Sequence, residues 1–201
     1  MEFLTLAMLI AVGAFTLKSK DERRRIALLG SHLGKYQIEK LMENLTEGYM
    51  RALGEKDPER REQVWRQMSS SETKLCDQFN RFVADFSKVE EADARVSTLA
   101  FPLPYAARLL PAATFDLRKV LLVHAQGVTN AATNSLNRSA KNMAYTMSAE
   151  LLLMQHSCHW FCKSRAVASA RMMVRHKTSY EQLLASVAPE TRKAYDALTG
   201  S

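Results

Sequence analysis

The stretch QHSCHWFCK, residues 155–163, places His156, Cys158, His159 and Cys162 within nine positions, and holds two of the chain's three cysteines. Imidazole and thiolate bind zinc, hold covalent haem and act as redox-reactive nucleophiles, so this is where chemistry would first be sought. On a helix turning about 100° per residue, with Cys158 taken as zero, Cys162 falls near 40°, His159 near 100° and His156 near 160°. Four groups spread over nearly half a helix cannot converge on one ion. Cys158 with Cys162, or His159 with Cys162, could supply two ligands, and a closed zinc site would then need two more from His32, His124, His176 or Cys76. Covalent haem asks for C-x-x-C-H, and the order here is different. Core packing is therefore the expected role of the stretch. Cys158, His159 and Cys162 are kept as the candidate metal or redox set, and no cofactor is expected.

Other catalytic patterns are absent from the sequence: no G-x-S-x-G, no phosphate loop, no H-E-x-x-H and no paired carboxylates. Glu150 is the one carboxylate inside the longest periodic segment, and a solvated or salt-bridged role is expected for it. The chain is read as a non-enzyme.

Charge is distributed unevenly. Residues 1–100 carry 16 Lys+Arg against 16 Asp+Glu, and residues 101–201 carry 12 against 5. Part of that excess is a basic run, Lys163, Arg165, Arg171, Arg175 and Lys177, a candidate surface for an acidic protein or anionic lipid. No aromatic residues are interleaved with it, so nucleic acid is the least favoured partner.

Fifteen uncharged residues, Phe3 to Leu17, precede Lys18, Lys20, Arg23, Arg24 and Arg25. A full span usually takes about 20 apolar residues, so flanking residues must help this run across. Basic residues following the run favour a single-pass anchor with the N-terminus outside and the body cytoplasmic. A cleaved signal peptide, with Val12 and Ala14 as small residues, and a helix buried in a soluble fold are the competing readings. Three cysteines make no disulfide framework for a secreted domain, which agrees with a reducing compartment.

The elements that must position these groups all read as helices. Gly (7) and Pro (5) are too few for the turns of a sandwich or barrel. Residues 19–53 carry apolar side chains at near-helical spacing and are predicted as one helix ending at Gly54. Asp57 and Pro58 cap and open the next, with Ser69 and Glu72 spaced as a recap, giving an antiparallel hairpin over 18–98. A joint with Pro102, Pro104 and Pro111 spans 99–113. The basic module 114–201 begins with a helix over 114–125 capped by Thr114. The short apolar run 118–127 could be a strand, but with no partner run in the sequence it is assigned to that helix. The central helix carries one stripe from Leu136 through Met147, Leu151, Met154, Cys158 and Phe161. A second, Ala149, Leu153, His156 and Trp160, lies on the opposite side. Its tail is expected to continue into the basic run, with short helices after Ser179 and Pro189. The expectation is an all-α protein with an N-terminal anchor helix, acting through protein contacts in a membrane-associated assembly.

Overall fold

In the computed structural model the described residues are 2–99, 104–134 and 137–200. Ten helices and one two-stranded ladder are present among them. The all-α class holds, with one long apolar helix at the N-terminus.

Helix α1 (Glu2–Leu33) runs unbroken from the apolar segment through the basic cluster, and its second half enters the core at Leu29. The predicted helix 19–53 is interrupted. Gly34 to Gln37 form a corner, and α2 (Ile38–Gly54) starts afresh. The apolar step from Leu33 to Ile38 is five residues, which falls off the 3.6-residue period and marks the break. Tertiary contacts pin it: the Gln37 amide donates to Gln78 Oε1 at 2.6 Å, the Tyr36 hydroxyl donates to Arg81 O, and the Tyr36 ring meets Phe82 edge-on.

Helix α3 (Pro58–Phe86) opens as expected, with Asp57 Oδ1 accepting from the Glu59 amide at 2.9 Å. It passes through 69–72 without a new cap, because Glu72 is buried and receives the Tyr49 hydroxyl. The antiparallel hairpin is therefore α2 with α3. Its seam holds Leu45, Leu75, Phe79, Phe82 and Phe86, each at most 1% exposed. A fully buried side chain of this kind contributes about 1.5–3 kcal/mol by burial.

After α4 (Glu91–Ala94) comes β1 (Arg95–Ser97), paired antiparallel with β2 (Thr114–Asp116) in register Val96 to Phe115. The sequence held no obvious partners because three-residue strands are too short to show a period. Between them lie α5 (Ala106–Leu109) and a single 3-10 turn, Pro111–Ala113. Thr114 is consequently a strand residue. The cap of α6 (Leu117–Thr133) is Asp116, whose Oδ1 accepts from the Arg118 amide at 2.9 Å. The run 118–127 is helical, as expected.

The central helix, α7 (Ala140–Cys162), starts after the Ser139 cap, and Leu136 lies outside the described residues. Both expected stripes are buried from Met147 onward, and α7 packs against α1, α2, α6 and β1. It ends at Cys162. Ser164 caps a separate helix, α8 (Arg165–His176), so the basic run belongs to another element. Helices α9 (Tyr180–Ser186) and α10 (Pro189–Thr199) begin at the Ser179 capping box and at Pro189. One continuous cluster of buried apolar residues joins the hairpin to α6 and α7. At Gly127, α6 is approached so closely that an added Cβ would lie 2.3 Å from Glu150 Oε2.

Candidate functional site

Within QHSCHWFCK, α7 turns His156, Ser157, Cys158, Trp160 and Phe161 inward. Trp160 fixes the ladder to the bundle. Its Nε1 donates to Ser97 O at 2.9 Å and its ring stands edge-on to Phe115 at 4.9 Å. Cys158 lies beside the Met154 thioether, and burial pushes its thiol up to about 12. Burial likewise raises Cys162 to about 11, although Arg25, Arg171 and Lys163 pull it back. Both thiols are protonated at neutral pH and are poor nucleophiles.

Cys158, His159 and Cys162 line one groove of about 370 Å³ between α1, α2, α7 and α8, floored by Ile26, Leu29, Ile38 and Met154. Its size is that of a small-ligand pocket, but its polar groups do not suit a cation. Among the described residues no three metal-ligating side chains gather. The Arg171 guanidinium donates to His159 Nδ1 at 3.1 Å, occupying a ring nitrogen and placing a positive charge beside the would-be ligand. Burial, then Arg171 and Arg175, keep His159 below the usual histidine range.

The basic run does not form one surface. Lys163 pairs with Glu22 at 3.1 Å, and Arg165 lies over the rings of Trp160 and Tyr180 at 5.4 and 4.6 Å. Arg171, Arg175 and Lys177 are exposed on α8 or at its end. The membrane-proximal cluster divides in the same way. Lys18 pairs with Glu22, Arg24 with Asp93 and Arg25 with Asp21, while Lys20 and Arg23 are exposed with no ion pair among the described residues.

Sequence reasoning missed a buried polar line through the core. His124 Nε2 shares a hydrogen bond with Ser157 Oγ at 2.9 Å, Ser157 Oγ donates to the Tyr195 hydroxyl, and the Tyr180 hydroxyl reaches Tyr195 in turn. His156 stacks on Tyr180 at 4.6 Å and bonds Ser169 through Nε2. Burial drives His124 down to about 3 and His156 to about 4, so both are neutral near pH 7. Glu150 is neither solvated nor salt-bridged as expected. It is fully buried, its Oε1 accepts from the Ala188 amide at 2.9 Å, and burial raises its pKa. The spacing Gly127, Glu150 and Thr191 carries no sequence signal, because the three meet only when α10 folds over α6 and α7.

The longest apolar surface is α1 itself. Among the described residues one helix is long and apolar enough to cross a membrane, and none of its apolar stretch is buried. Phe3 is 85% exposed and Phe15 71%, so the alternative of a helix buried within the fold is set aside. Compared with known families, curated proteins and solved structures, the chain matches none of them.

Proposed function

We propose that the protein is a single-pass, membrane-anchored helical scaffold or accessory subunit that acts by binding other proteins and has no catalytic centre. The observation that carries this reading is the division of α1. Residues 3–17 present apolar side chains to the surroundings, while Leu29 and its neighbours are built into the core of the body. A row of exposed Leu, Ile and Phe on one helix is costly in water and favourable in hydrocarbon. Protonated thiols in the groove and neutral buried histidines favour a structural over a catalytic use of α7. Basic residues just beyond the apolar run favour the body on the cytoplasmic side.

Fractionation of native membranes tests the anchor. The full chain is expected in the carbonate-washed membrane pellet and to need detergent for release, and a chain lacking residues 1–17 is expected in the soluble fraction. If both remain soluble, the anchor is rejected. Sequencing the N-terminus of the mature protein separates an anchor from a cleaved signal peptide. Identifying what co-purifies in mild detergent tests the scaffold role, and a protein recovered alone from every extract counts against it.

A further inference from the structure

The segment between the two strands leaves the ladder at Ser97 and returns at Thr114, with Thr98 N donating to Ala113 O across its neck. The described part of this segment, residues 98–99 and 104–113, lies between strand ends held together at that neck. Its sequence is unusual for an exposed loop: from Thr98 to Ala113 it holds Arg108 as the sole charge and no acidic residue. Leu109 is 72% exposed and Leu110 46% exposed.

The loop is held at the foot of the body. The Tyr105 amide donates to Asp21 Oδ2 at 3.3 Å, and Arg108 and Arg24 share Asp93 Oδ1. Contacts of α1 follow an order along its axis: Tyr105 and Lys163 meet residues 21 and 22, Asp93 and Phe161 meet 24 and 25, and Phe86 meets His32. Among the described residues with these contacts to α1, those of the loop and of the turn between α7 and α8 lie nearest the apolar run. Asp21 lies four residues past Leu17, about 6 Å along the helix. The headgroup region on each side of a bilayer is about 5–7 Å thick. A loop fastened to Asp21 thus sits at headgroup depth when residues 3–17 are in the hydrocarbon.

We infer that the loop over residues 104–113 is a second membrane contact, resting on the lipid surface with Leu109 and Leu110 turned into the headgroup and acyl boundary. This inference rests on the anchor reading. The occupant is lipid, because the loop that carries the exposed leucines is fastened through Tyr105 to Asp21, just past the apolar run of α1, and has no acidic residue to repel anionic headgroups. Lys20 and Arg23, exposed and unpaired with any acid among the described residues, supply attraction at the same level. Two contact points fix the body against rotation and tilt over the membrane, which a single helix cannot do.

The test uses the full chain in phosphatidylcholine vesicles containing phosphatidylglycerol, with a polarity-sensitive fluorophore on one introduced thiol and doxyl-labelled lipid as quencher. Sites are Leu109→Cys, Phe15→Cys as the anchor reporter, and Tyr145→Cys as a control about 25 Å along α7 from Cys162. Unmodified protein measures labelling of the three native thiols. The expected result is a blue shift and loss of most of the fluorescence at positions 109 and 15, with none at 145, and recovery at 109 when Leu110→Glu is added. Quenching at 15 without quenching at 109 overturns the loop contact and leaves the anchor standing. A blue shift at 109 without lipid quenching means protein covers the loop, and also overturns it. No quenching at either site removes both.

Discussion

His124 and His156 are buried deep in a core whose other members are mostly apolar, and both are held neutral. Their folded pKa values, about 3 and about 4, lie below the unfolded value of about 6.5. Below pH 6.5 the unfolded chain takes up protons that the folded chain refuses, so stability falls with acidification by about 1.4 kcal/mol per unit for each histidine. Melting followed by circular dichroism in detergent is expected to show a steep drop in Tm from pH 7.5 to 5, flattened in His156→Gln. An equal drop in the variant excludes His156 as a source. Glu150 has the opposite sign, since its folded pKa is raised and stability is lost as pH rises through it. Glu150→Gln is accordingly expected to gain in Tm relative to the parent as pH rises above the usual glutamate range. Neither role was legible in the chain. Glu150 sits among residues that fit a solvated helix position as readily as a buried one, and its surroundings, Ala188 and Thr191, are supplied by α10.

Three helix starts are written locally. Asp57–Pro58, the Ser179 capping box and Pro189 announce their helices through interactions within one turn, and each helix starts where those residues stand. Two boundaries were displaced by tertiary demands. The corner at 34–37 follows from Tyr36 and Gln37 finding partners on α3, and the start of α6 moves to Asp116 because Thr114 is taken up in the ladder. Asp116 has three roles at the junction of two elements: it ends β2, caps α6 and holds the Arg118 guanidinium at 2.8 Å. Asp116→Ala is expected to cost about 1–3 kcal/mol, combining a lost cap with a lost ion pair, while Arg118 keeps Glu91 at 3.5 Å and Val89 O as partners. Asp116→Asn should keep the cap and lose less. Urea titration distinguishes the two, and equal losses would mean that the cap contributes nothing.

At the scale of the molecule, α1 belongs to two environments at once, with an apolar half outside the body and an amphipathic half inside it. Removal of residues 1–17 is expected to leave the Tm of the body within a few degrees of the full chain. Leu29→Ala, at a position 5% exposed, is expected to cost about 2–5 kcal/mol. A truncated chain that fails to unfold cooperatively would show that the apolar half is part of the fold. By itself the sequence determined the helical class, the apolar N-terminal run and the starts of α3, α9 and α10, because periodicity, capping and hydropathy act over a few neighbouring residues. Only the tertiary structure decided the fate of the cysteine and histidine cluster, the burial of Glu150, the pairing of the basic residues and the location of the proline-containing loop beside the middle of α1. Those depend on which distant segments meet, and a helix records its own faces but not what comes to lie against them.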